Sequence, residues 1–449
     1  MKVFRISALC LLGVLGVASM ASAQNWSRRY NGTGSGNDVA RSIAADSSGN
    51  VYVTGNSDGT AATGIDFTTI KYNSAGAPQW YRRYDGAAHG NDSGKAIAVD
   101  SGGNVYVTGT SQGVGTGSDI ATVKYAPDGT RLWVKRYDGS GHELDAPSSI
   151  VVDPAGGVYV AGGSLGATTE IDYVLIKYDA AGNRPWVKRY DGPSHGYDFA
   201  SAVALDPAHN VYVTGGSTGV GTQIDFATLK YDSTGHLLYK KRYNSPSNMI
   251  DFANALVVDD SGNAHVTGNS WRSATESHYV TIKYDTAGIT LWKVDYNNVQ
   301  LRDIPWGIAL DVSGNVFVTG QSEAVSTKLD YLTFKYDANG NFVWKQRYDG
   351  IVGNDDIAYA LAVDPAGNIF VTGTSYTNAT DQLDIVTLKY DNNGSGIWRK
   401  VYAGAGHRTD AGYAITTDSA GNCYVAGVVC TVGLPTLTLV DYVTIKYAP

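Results

Sequence analysis

Cysteine is nearly absent from this chain: three in 449 residues, at Cys10, Cys423 and Cys430. That excludes a disulfide scaffold. Cys423 and Cys430 are separated by an odd number of positions, which puts them on opposite faces of one strand. Positive charge is also short: 34 Lys and Arg against 42 Asp and Glu give a net charge of −8. The basic residues are scattered in step with a repeat, so no basic face is available for nucleic acid. No apolar run reaches the roughly 20 residues that a membrane-spanning helix needs. The run from about Ile6 to Ala18 is short, follows Lys2 and Arg5, and precedes Ala21-Ser22-Ala23. That is the layout of a secretory signal peptide over residues 1–23, with the mature chain at 24–449. No later segment reads as membrane-inserted, and the expected product is a monomer that is secreted or periplasmic.

What the chain has in abundance is repetition. The pair Lys-Tyr begins at Lys71, Lys124, Lys177, Lys230, Lys283, Lys335, Lys389 and Lys446, at steps of 52 to 57 residues. Trp26, Trp80, Trp133, Trp186, Tyr239, Trp292, Trp344 and Trp398 keep the same beat. So does Val-Tyr-Val-Thr-Gly, beginning at Val51, Val105 and Val211, with variants in the other units. Such internal periodicity overrides the usual guess of two or three domains.

Each unit divides into four short strands rich in β-branched and aromatic residues, as in Lys95–Asp100, Asn104–Gly109, Asp119–Tyr125 and Leu132–Tyr137. Asp-x-x-Gly turns join the first strand to the second (Asp46–Asn50) and the third to the fourth (Asp179–Gly182). Asp suits the first position of a type I turn and Gly the left-handed position that closes it. His209 stands at one such Gly position and predicts a strained left-handed residue. These turns lack the dense ligand spacing of a calcium loop. Four-stranded meanders repeated eight times predict an all-β fold: an eight-bladed β-propeller in one domain. The chain opens on an isolated fourth strand, Trp26–Tyr30, and closes on a third, Asp441–Tyr447. The two termini should therefore share the last blade and close the ring.

The run Asp92-Ser-Gly-Lys-Ala-Ile-Ala-Val-Asp-Ser-Gly-Gly-Asn-Val-Tyr-Val-Thr-Gly resembles the bacterial SBBP-type β-propeller repeat, as does the pattern from Asp172 to Trp186. The likeness covers essentially the whole mature chain. It implies the fold and an exported bacterial protein, often cell-surface associated, and it implies no common reaction or ligand. Asp-x-x-Gly-x-x-x-Trp is also close to the tryptophan-docking motif of eight-bladed quinoprotein dehydrogenases. Here the Asp–Gly spacing is one residue shorter and the adjacent Cys-Cys pair is missing.

Residues that recur in every blade are expected to be structural, because catalysis gathers a few unlike groups at one place. These include the Asp before each first strand, the Asp opening most third strands (His278 is the exception) and the Lys of each Lys-Tyr pair. The expectation is that these Lys and Asp side chains pair within or between blades. The alternative is rings of carboxylates that hold cations at the channel mouth. His89, His142, His195 and His407 share one loop position, too widely spaced around a ring for zinc and expected to be exposed. Serines such as Ser57, Ser111 and Ser217 recur with the beat and lack a matching His and Asp in hydrolase order. The sequence therefore predicts no catalytic set, no cofactor and no metal.

Function is expected at positions that vary. Three residues after each repeated Asp come Arg41, Lys95, Ser148, Ser201, Asn254, Trp306, Tyr359 and Tyr413, at the start of the innermost strand. In the loop after the second strand, Trp271 and Tyr376 stand where other blades have Asp58, Gln112 or Thr218. Trp271, Arg272, Trp306, Tyr359, Tyr376 and Tyr413 are the candidate ligand residues, their aromatics suited to a protein or glycan partner. Blade-edge packing is the plainer use of these rings. The expected function is a non-catalytic binding or structural surface module. The alternative is a polysaccharide lyase or glycoside hydrolase at the long-loop rim, which for hydrolysis needs two carboxylates in one cleft. The acids outside the repeat, Glu143, Glu170, Glu276 and Glu323, fall on different blades.

Overall fold

The computed structural model describes residues 25–449 apart from 35, 60–62, 299–300, 326–327, 351–353, 378–382, 405–408 and 432–438. Residues 1–23 and His407 lie outside the described residues. The described chain forms eight four-stranded antiparallel sheets. No helix among the described residues is long and apolar enough to cross a membrane.

β1 (Trp26–Tyr30) stands alone at the start. Blade one follows as β2 (Asp38–Ala45), β3 (Val51–Asp58), β4 (Ile65–Tyr72) and β5 (Pro78–Tyr84), paired in chain order. Six more blades repeat this meander. Blade eight takes three strands from the C-terminus and its fourth from β1, which pairs with the third strand in the register Trp26↔Lys446 to Tyr30↔Tyr442. The first strands of neighbouring blades touch in an unbroken circle, blade eight meeting blade one, so they line the centre. The turns form as the sequence predicts. Asp46 Oδ1 accepts the Ser48 and Asn50 N–H groups, and its Oδ2 accepts from the Asn50 side chain and the Tyr52 hydroxyl. Gly49 and His209 both take left-handed φ, at 74° and 61°.

Each blade is one layer and cannot bury both faces alone, so the apolar cores lie between blades. Tyr52, Phe67, Trp80 and Tyr84 of blade one pack with Ile97, Val105, Val107, Val123 and Tyr125 of blade two in one cluster. A polar clip fixes the same joint. Lys71 Nζ and Trp80 Nε1 both donate to the Pro127 carbonyl in blade two, each at 3.0 Å, while the Lys71 ammonium lies 5.2 Å from the Tyr52 ring. Lys446 and Trp26 of blade eight make the same clip to Ser74 of blade one, across the closure.

This corrects the expected Lys–Asp pairing. Seven of the eight lysines donate to the turn carbonyl of the next blade, and in six blades the third-strand Asp pairs with an arginine instead. Arg83 Nη2 lies 2.6 Å from Asp66 Oδ2, and Arg136, Arg189, Arg242 and Arg347 repeat the pair with Asp119, Asp172, Asp225 and Asp330. Lys230 and Lys283 also approach carboxylates, those of the turn residues Asp206 and Asp259. The recurring serine serves the same structure: Arg83 Nη1 donates to Ser57 Oγ.

The Asp that opens each first strand caps the loop before it. Asp92 Oδ2 accepts the Gly86 N–H at 2.6 Å, and Asp303 and Asp410 accept from Asn298 and Gly404. Burial, above all, pushes Asp303 and Asp410 up to about 6. These folded values exceed the unfolded one of about 3.9. Their contribution to stability is therefore complete below the unfolded value and is lost as pH rises through about 6. The melting midpoint is expected to fall between about pH 4 and about pH 6.5, and Asp303→Asn with Asp410→Asn should flatten that slope. Thermal melts across this range check it.

Candidate ligand site at the channel mouth

The first strand of every blade carries a β-bulge, and the bulged residue is the one that varies from blade to blade. In β2 the ladder pairs Ala40 with Gly55 and then Ser42 with Thr54, which leaves Arg41 over. The same irregularity falls at Lys95, Ser148, Ser201, Asn254, Trp306, Tyr359 and Tyr413. The variable position thus lies three residues into the strand rather than at its start. A bulged residue has no ladder partner, and bulges are a common means of re-aiming a side chain toward a site. Here the eight side chains ring the channel.

Around that ring the chemistry is sorted. Trp306, Tyr359 and Tyr413 come from blades six, seven and eight, and Arg41 and Lys95 from blades one and two. Because blade eight abuts blade one, these five form one continuous arc. Tyr359 and Tyr413 have ring centroids 5.5 Å apart, and the Arg41 guanidinium sits 5.5 Å from the Tyr413 centroid. Trp306 is 40 % exposed, so its face is available. The arc and Ser148 border a cavity of about 500 Å³, within the usual range for small-ligand pockets. Neither Arg41 nor Lys95 has a carboxylate partner among the described residues. Crowding by the channel wall, then Arg41, holds the Lys95 ammonium below the usual lysine range. Two unneutralised cations therefore face the channel of a chain whose net charge is −8.

The rest of the ring is tied down. Ser201 Oγ donates to the Ala253 carbonyl at 2.6 Å, and Asn254 Nδ2 donates to the Pro305 carbonyl at 2.7 Å. These small polar residues brace neighbouring blades and leave room for a ligand on the arc.

Of the sequence candidates, the structure brings together Trp306, Tyr359 and Tyr413. Trp271 and Tyr376 end the second strands of blades five and seven, one strand outward from the channel. Arg272 is engaged elsewhere. Blade five carries His278 and Asp295 where six other blades have the Asp–Arg pair. His278 Nδ1 lies 2.6 Å from Asp295 Oδ1, and Arg272 reaches in to Asp295 Oδ2 at 2.5 Å and Ser270 Oγ at 2.7 Å. It restores the missing guanidinium from the loop after the second strand. Arg41 and Lys95 were absent from the candidates, although the variable position named them. Their signal was a basic residue at a site free of the repeat's structural work. Glu143, Glu170, Glu276 and Glu323 do not border the channel cavity.

His89, His142 and His195 are exposed, as expected, and each takes left-handed φ, at 50°, 52° and 54°. Each Nδ1 contacts the carboxylate four residues earlier, Asp85, Asp138 or Asp191, at 2.5–2.7 Å. Cys423 and Cys430 are buried at the two ends of one strand and are not bridged.

The fold defines the class: a β-propeller. Within it, residues 25–60, 81–115 and 346–378 match the family described as SBBP, Beta-propeller repeat, so the chain carries that repeat. An uncharacterized WD repeat-containing protein of Acanthamoeba polyphaga mimivirus is 25 % identical over 383 residues, covering 76 % of this chain and 24 % of its own length. The regulatory protein FlaEY of Caulobacter vibrioides is 31 % identical over 115 residues, covering 22 % of this chain and 12 % of its own length. This chain thus spans a quarter or less of each of these two relatives. Among solved structures, Sqt1 from Chaetomium thermophilum superposes with a TM-score of 0.52 at 12 % identity, covering 94 % of this chain and all of that one, a likeness of fold alone.

Proposed function

We propose that this is an exported, non-catalytic propeller that binds an acidic glycan at its channel mouth. The observation that carries the reading is the continuous arc of Trp306, Tyr359, Tyr413, Arg41 and Lys95. Aromatic faces suit the apolar faces of sugar rings. A guanidinium and an ammonium without carboxylate partners among the described residues suit a uronate carboxylate, and charge-assisted hydrogen bonds are the stronger kind. The rest of the ring is small and internally bonded, so a chain end can enter from the loop side.

An array of acidic and neutral glycans tests this. Binding to uronate-containing chains is expected, lost in Trp306→Ala and kept in Trp271→Ala. Recognition of neutral chains alone, or loss on Trp271→Ala, overturns it.

One arrangement favours the lyase alternative: Lys95, Tyr359 and Tyr413 border the same cavity. There Lys95 as base would take the C5 proton, α to a uronate carboxylate, as the C4–O bond breaks and a C4–C5 double bond forms, a tyrosine giving its proton to the leaving oxygen. Ultraviolet absorbance of an unsaturated product separates this reading from simple binding.

A further inference from the structure

At four joints between blades, three aspartates converge from three segments of the chain. At the first joint they are Asp66, which opens β4, Asp85, which follows β5, and Asp92, which opens the next blade. At the third they are Asp172, Asp191 and Asp198. In each trio one oxygen per carboxylate lies within 4.8 Å of the other two. Oxygens bound to one calcium at 2.3–2.6 Å lie at most about 5 Å apart, so this is the spacing of a coordination shell. Bare carboxylates so placed repel each other.

A second observation points to a ligand. One oxygen of each carboxylate is held by the protein: Asp66 Oδ2 by Arg83, Asp85 Oδ2 by His89 and Asp92 Oδ2 by the Gly86 N–H. The other oxygens of Asp66 and Asp85 are buried with no hydrogen-bond partner, and so are those of Asp172 and Asp191. Asp66 and Asp172 are each only 3 % exposed. A buried acceptor without a partner is costly, and this one recurs in register two blades apart.

We propose that these four joints are calcium sites, each joining one blade to the next. All the inward donors are hard carboxylate oxygens, which suits calcium rather than zinc. The histidines act one layer out: His89 and His195 hold the second oxygens of Asp85 and Asp191, as second-shell partners orient ligands. The sites carry a sequence signature, Arg-Tyr-Asp-Gly, at 83–86, 136–139, 189–192 and 347–350. Blades four and five end instead in Asn244 and Asn297.

Those asparagines supply the control, since the ring accommodates Asn at this position. Protein spanning residues 24–449 is stripped with EDTA and dialysed, then given CaCl2 alone. Calcium binding is read by calorimetry and stability by thermal melting, with NaCl at matched ionic strength. The expected result is up to four bound ions and a midpoint raised by several degrees, with both effects lost in Asp85→Asn/Asp138→Asn/Asp191→Asn/Asp349→Asn while its far-ultraviolet spectrum is kept. No bound calcium, a shift reproduced by NaCl, or undiminished binding in the quadruple variant overturns the proposal.

Discussion

Removing residues 25–30 is expected to open the ring and abolish cooperative folding. β1 is the fourth strand of blade eight, and without it the third strand, Leu439–Tyr447, becomes a long exposed edge. Such edges invite aggregation. β1 also carries the closure joint. Trp26 packs against Tyr72 and Tyr424 and donates to Ser74, Arg28 donates to the Gly76 carbonyl, and Arg29 pairs with Asp441. The milder change Trp26→Ala keeps the strand and isolates the ring. Truncating a buried tryptophan costs about 3–5 kcal/mol, so the denaturation midpoint should drop steeply. An unchanged midpoint in Trp26→Ala would show that the termini do not hold the ring closed.

Reversing the channel charge, Arg41→Glu with Lys95→Glu, is expected to abolish acidic-glycan binding while the melting midpoint stays near that of the parent. Hydrogen bonds to charged groups contribute about 1.5–3 kcal/mol each. Losing two and adding repulsion therefore predicts at least a hundredfold weaker affinity. Stability should hold because neither side chain has a carboxylate partner among the described residues and the bulged position accepts six different residue types around one ring. Titration calorimetry and a thermal melt on the same sample separate loss of binding from loss of fold.

The architecture was legible in the sequence because one blade's rules are written eight times. Asp46 and Gly49 announce a turn by local chemistry alone, and the phase of Trp26 against Tyr447 announces the closure. Partnerships were less legible. Nothing in the spacing of Lys71 says that its ammonium reaches a carbonyl 56 residues on, or that Arg83 has already taken Asp66. The bulge was hidden too, since a one-residue excess in a ladder leaves no mark on alternation. It decides which residues face the channel, and so why Trp306, Tyr359 and Tyr413 belong with Arg41 while Trp271 does not. The aspartate trios escaped notice because each draws on three segments across a joint. The sequence shows the carboxylates in register but not that they converge.

The most direct test of the central claim is a calorimetric titration with an oligosaccharide of uronic acids and with the same oligosaccharide after reduction of its carboxylates to alcohols. The account predicts that the acidic form binds at least tenfold more tightly and that Arg41→Ala with Lys95→Ala erases the difference. Equal affinity for the two forms, or a preference that survives the double substitution, would contradict it.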